Sequence, residues 1–141
     1  MATFQVPESS GNFCRRGGRF GAHAVNWSYT PVFYRRLVFA SYFNAGVRAI
    51  DIRDPFRPVE TAFFIPAPTA HTAESCAVVE GARRCAPVVQ TNNVEVDDRG
   101  LVYLADRAGT GLHIVELTGA AREIADLPPR SAPGRNPGPG R

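Results

Sequence analysis

Two segments of this chain repeat one pattern. "LVFASYFNAGVRAIDI", Leu37 to Ile52, and "LVYLADRAGTGLHIVEL", Leu101 to Leu117, align as Leu37 with Leu101, Val38 with Val102, Phe39 with Tyr103, and Gly46 with Gly111 after one additional turn residue. Beyond the glycine, Val47, Arg48, Ala49, Ile50, Asp51 and Ile52 fall opposite Leu112, His113, Ile114, Val115, Glu116 and Leu117. Upstream, "HAVN" and "NNVE" place His23 opposite Asn92. A duplication constrains the fold strongly, because a short repeat cannot bury its apolar face alone and must stack on a neighbour.

Each copy reads as strand, hairpin, strand. "LVFASYF" and "VRAIDI" are short, β-branched and aromatic, and Asn-Ala-Gly between them is a hairpin-sized turn with Gly46 available for positive φ. After Ile52, Asp54 can bond nearby backbone amides, Pro55 fixes φ, and Pro58 bars a ladder hydrogen bond before "VETAFFI" begins. The prolines therefore separate two antiparallel strands and hold their register. Neither face of "VRAIDI" or "LHIVEL" is consistently polar, as expected of strands covered on both sides. No stretch shows helical periodicity.

The copies lie about 64 residues apart, beyond the roughly 40 to 50 of common propeller repeats. The surplus is Ala67 to Val88, rich in Ala, Pro, Thr and charge, which reads as a loop inserted on one blade. The expected fold is all-β: about two four-stranded antiparallel blades of an incomplete β-propeller. A lead-in of irregular structure covers residues 1–18, and the partial propeller covers 19–119. It divides into a blade at about 19–66, the inserted loop at 67–88 and a second blade at about 89–119. A Pro/Gly/Arg-rich tail follows at 120–141, disordered at least from 127.

Charge excludes some functions. All sixteen basic residues are arginine, and the net charge is +3. Residues 1–36 hold five Arg against one Glu, whereas 37–117 hold seven Arg against ten acids, so the folded middle lacks the basic stripe of a nucleic-acid binder. No run approaches the ~20 apolar residues of a membrane helix, and "MATFQVPESSG" does not read as a signal peptide.

Candidate sites are few. His23 and Asn92 share one repeat position near the start of the strand expected innermost, where they either line a central channel and bind a small ligand or satisfy backbone groups beside it. Cys76 and Cys85 bracket a short loop and suit a disulfide, with free thiols and a metal site that adds His71 as alternatives; Cys14 stands alone with no base partner. "GTG" at Gly109 to Gly111 precedes no helix and is a hairpin turn, not a phosphate cradle. "EVDDRG" departs from the calcium-loop pattern, Asp106 and Arg107 suit pairing or capping at a hairpin end, and "NWS" at Asn26 fits a glycosylation sequon. No catalytic residue, metal ligand set or cofactor is assigned.

With these residues in view, "AGVRAIDIRDPFRPVE" resembles the LVIVD repeat, a bacterial β-propeller motif in which a strand of the type hydrophobic-x-hydrophobic-Asp-hydrophobic runs into an Asp-Pro-x-x-Pro turn. The likeness covers Leu37 to Glu60 well and Asn92 to Gly119 loosely, since "VELTG" lacks the Asp-Pro turn. It implies the C-terminal part, or a shortened relative, of a larger and often exported protein, and hence a periplasmic or extracellular setting. More distantly, "SYFNAGV" is similar to a strand of the selenium-binding protein family of methanethiol oxidases. Asn44, Ala45 and Gly46 stand where that family carries its histidine. The expectation is a non-catalytic binding or interaction module that meets a protein partner or further copies through open blade edges, with no nucleic acid and no membrane span. A remnant of a metal-dependent propeller oxidase is the alternative.

Overall fold

A computed structural model describes residues 2–28 and 30–129. The protein is nearly all-β, with antiparallel sheets that do not close into a barrel. The first sheet runs in chain order through β1 (Gly21–Val25), β2 (Leu37–Phe43), β3 (Gly46–Asp51) and β4 (Val59–Phe64). The inserted stretch is a hairpin, β5 (Glu74–Val79) and β6 (Ala82–Pro87). The second sheet has β7 (Thr91–Val96), β8 (Leu101–Asp106) and β9 (Gly111–Glu116). Among the described residues the second sheet thus has three strands, not four.

The two copies share one register. Leu37 pairs with Asp51 and Val38 with Ile50, while Leu101 pairs with Glu116 and Val102 with Val115. Phe43, Asn44 and Ala45 connect the first hairpin; Arg107, Ala108, Gly109 and Thr110 connect the second, which carries the additional turn residue. Gly46 has φ +71°, and a Cβ there would lie 2.1 Å from the Phe64 carbonyl oxygen, so conformation and space both require glycine. After β3, the Asp54 carboxylate accepts from Phe56 N at 3.0 Å, and Arg57 N donates to Asp54 O at 3.0 Å, forming the turn around Pro55.

Side-chain alternation gives the first sheet two unlike faces. Leu37, Phe39, Val47 and Ala49 point to the second sheet and join Val94, Val96, Val102 and Leu104 in the main core. Each of these large side chains contributes roughly 1.5–3 kcal/mol on burial. Ala40, Tyr42 and Ile50 point the other way and are covered by Phe4, Val6 and Phe20. The lead-in is therefore a packed layer over the face of the first sheet that points away from the second, and it includes two short 3-10 turns, Pro7–Ser9 and Phe13–Arg16.

Repeat equivalence extends to the faces. The second sheet meets the first with Val102 and Leu104, counterparts of Val38 and Ala40. Its own counterparts of Phe39, Val47 and Ala49 are Tyr103, Leu112 and Ile114, on the far side. Leu112 is 65% exposed and Ile114 56%. The sheets thus stack with unlike faces in contact, and the final face is open.

The chain then departs from strand structure. α1 (Gly119–Ile124) is a helix in the stretch read as tail, and its Ala121, with Ile124, Ala125 and Leu127, closes the end of the main core. Leu117, Ala121, Ile124 and Ala125 do recur at helical spacing, but small alanines and a six-residue helix leave a faint signal. Leu127 is packed where disorder was expected to begin, held by its N–H to Arg122 O at 3.2 Å. Residues 130–141, the rest of that expected tail, lie outside the described residues.

Candidate functional site

The first strands of both sheets, β1 and β7, carry a bulge, and the bulged residues are His23 and Asn92. On β1 the pairing jumps from Ala22–Tyr42 to Ala24–Ser41; on β7 it jumps from Thr91–Asp106 to Asn93–Ala105. Tyr42 and Asp106 are equivalent positions, so the two bulges occur at the same place in the repeat. A bulge leaves one residue out of the ladder and re-aims its side chain. Here it brings the equivalent residues of adjacent sheets into contact.

The Asn92 carbonyl is the meeting point. His23 Nδ1 lies 2.7 Å from it, and the buried Ser41 hydroxyl donates to it at 2.7 Å. A carbonyl only accepts, so His23 Nδ1 is the donor. The imidazole packs against Phe43 at 4.5 Å between centroids, and the Arg107 guanidinium lies over the same ring at 5.8 Å. The Asn92 side-chain amide donates to Asn93 Oδ1. Next to it, the Thr91 hydroxyl is buried without a hydrogen-bond partner among the described residues. The cluster is an exposed imidazole beside amides and two buried hydroxyls, Ser41 and Thr91, suited to hydrogen bonding. It contains no nucleophile with a base behind it.

A second polar centre, which the sequence did not announce, lies on the opposite face of the first sheet. Arg48 is only 1% exposed. Its guanidinium donates to Ala45 O at 2.7 and 3.0 Å and to Glu60 Oε2 at 3.1 Å, pairs with Glu8 Oε2 at 2.8 Å, and lies 5.0 Å from the Phe63 ring centroid. Burial alone would raise the Glu8 carboxyl, but the Arg48 hydrogen bond and charge outweigh it and hold Glu8 below its ordinary value of 4.5. This ion cluster pins the lead-in to the sheet. Ala45 O and Glu60 are hydrogen-bonded to Arg48, while the buried Glu8 Oε2 meets it as an ion pair.

The remaining candidates take quieter places. Cys76 and Cys85 are opposite each other on β5 and β6 and form a disulfide, so neither offers a thiolate to a metal; Cys14 is exposed and free. His71 lies on the turn Thr69–Thr72, with its N–H 3.2 Å from Thr69 Oγ1. Among the described residues no three His, Cys, Asp or Glu side chains come together as a metal site. Asp106 caps the β8–β9 turn through Ala108 N at 2.7 Å and reaches across to Gln90 N at 2.6 Å.

In "EVDDRG", Asp97 accepts from Leu101 N at 2.9 Å and from the Arg99 guanidinium at 2.6 Å. Burial would raise the Asp97 carboxyl; the Leu101 amide and Arg99 bonds outweigh burial and lower it. The sequon Asn26 is 1% exposed, donating to Ser28 O and accepting from Phe39 N, so its amide is closed to a glycan.

No helix among the described residues is long and apolar enough to cross a membrane. Comparison with protein-family models, with curated proteins and with solved structures returned no match.

Proposed function

We propose that this chain is a non-catalytic binding and interaction module of the LVIVD-repeat β-propeller type, working as part of a larger assembly. The observation that carries this reading is the coincidence of the two bulges at His23 and Asn92, within sheets of identical register that stack with unlike faces. Propellers repeat in this way around an axis lined by their innermost strands. In such an assembly His23 and Asn92 face the axis, and the exposed Leu112 and Ile114 face the next element. The Cys76–Cys85 disulfide fits an oxidising compartment, as does the exported setting implied by the resemblance.

The test is the behaviour of the purified chain. Its open face and edge should bind the apolar dye ANS and should drive association, with light scattering reporting masses above 15.3 kDa. A dye-silent monomer that unfolds in one cooperative step would count decisively against the reading. Stoichiometric copper or zinc retained after dialysis would replace it with the metal-dependent oxidase alternative.

A further inference from the structure

We infer that the Cys76–Cys85 disulfide is a thiol-exchange site with a fixed polarity: an incoming thiolate bonds to Cys85 Sγ, and Cys76 Sγ leaves. The inference goes beyond the interaction-module reading and does not depend on it. It starts from where the hairpin puts its sulfurs. Side chains on β5 and β6 alternate, and their inner face packs on the lead-in: a Cβ on Gly18 would lie 2.7 Å from Ser75 Cβ, and one on Gly17 would lie 3.6 Å from Ala86 Cβ. The other face points outward. It carries Glu74, Cys76 and Val78 on β5 with Arg83, Cys85 and Pro87 on β6, all exposed. A thiolate from solvent can therefore reach the bond, and exposed disulfides are the ones that exchange.

The two ends of the bond differ. Arg83 stands opposite Val78, and its guanidinium reaches diagonally across the strands to Cys76 Sγ at 3.3 Å. Among the described residues no hydrogen bond reaches Cys85 Sγ. A sulfur departs faster when its thiolate is stabilised. The Arg83 cation stabilises charge on Cys76, so the bond breaks toward Cys76 and the new bond forms on Cys85. Attack on Cys76 would instead leave the charge on Cys85, which the guanidinium does not contact. Glu74 stands opposite Pro87, on the far side of the disulfide from Arg83. Arg84 belongs to the inner side of β6, where it lines a cleft with Arg15 and Glu80.

The electron pair and the atoms are accounted for. The thiolate of the reductant forms one S–S bond to Cys85 as the Cys76–Cys85 bond breaks, and the electron pair of that bond leaves on Cys76. With a monothiol, Cys76 is still in register with Cys85 and returns to expel it, so the exchange reverses. With a dithiol, the second thiolate attacks the reductant sulfur bonded to Cys85 and expels Cys85, which takes a proton from water. The dithiol becomes a disulfide, and both cysteines are reduced. The substrate class is therefore a dithiol, and its product is a hairpin released from its one covalent tie among the described residues.

The experiment uses the oxidised full chain in a Cys14→Ser background, which removes the exposed free thiol. Reduced glutathione is added, the reaction is quenched with acid at early times, free thiols are alkylated with N-ethylmaleimide, and peptide mass spectrometry reads each cysteine. Glutathione is expected on Cys85 in about fivefold or greater excess over Cys76. Arg83→Gln should remove that preference and slow the initial rate by about threefold, while Arg84→Gln leaves both unchanged. Dithiothreitol should reduce the bond fully, with amide protection lost over residues 74–87 and kept in both sheets. Equal labelling of the two cysteines, an excess on Cys76, or a preference that survives Arg83→Gln overturns the inference. So does a bond that neither thiol cleaves while the sheets stay protected. None of these readouts depends on dye binding or association, so the interaction-module reading stands or falls separately.

Discussion

The first sheet and the second are built from one repeat, yet they differ in how they are finished. The first has four strands, one face on the second sheet and the other beneath the lead-in, with Arg48 sealed between Glu8 and Glu60. Among the described residues the second has three strands, one buried face and one open, with His113 at the position of Arg48, 3.0 Å from Thr110 Oγ1 and beside the Phe64 ring. Local sequence pattern sets the strands and their pairing in both. What differs is the material laid over them, and it decides which residues hold the fold and which remain exposed.

The comparison breaks most sharply at Arg48. Arg48→Ala leaves carboxylates and a carbonyl without their cation and should cost about 3–5 kcal/mol, whereas His113→Ala should cost under about 1 kcal/mol; equilibrium urea unfolding of both variants reads the difference. The core pair comes next. Leu104, fully buried between the sheets, should cost about 2–5 kcal/mol as Leu104→Ala. Leu112→Ala on the open face should change stability by less than about 0.5 kcal/mol, and similar losses for the two would show that the far face is covered.

Removing the disulfide should act locally. The double variant Cys76→Ser and Cys85→Ser is expected to lose amide protection across β5 and β6 while both sheets keep theirs, because few core contacts reach the hairpin. The smallest effect should come from acid. Glu8 has a lowered folded-state pKa, so its contribution is present above 4.5 and is lost as pH falls through the folded value. Stability measured between pH 6 and 3 should fall less steeply in Glu8→Gln than in the parent, and equal slopes would remove Glu8 from the lead-in's attachment.

The repeat was legible because strands covered on both sides leave long apolar runs that can be aligned, and the paired glycines fixed the register. The equivalence of His23 and Asn92 was legible for the same reason. Their bulges were not, since an unpaired residue has no sequence mark of its own. Arg48 gave no warning: a charge within a strand suggests solvent, and its partner Glu8 lies far off in an aperiodic segment. Phe4, Val6 and Phe20 escaped notice because single apolar residues in irregular chain carry no period. The missing fourth strand was hidden by the assumption that both copies end alike, although "VELTG" lacks the Asp-Pro turn that launches β4.

Stacking through unlike faces has a directional consequence. A pile of such sheets has a head and a tail, as a row of nested cups does. Here Val6 and Glu8 stopper the cup at one end, and Leu112 with Ile114 forms the rim at the other. The layers are therefore not interchangeable: one end is closed by the lead-in, and the other presents the exposed Leu112 and Ile114.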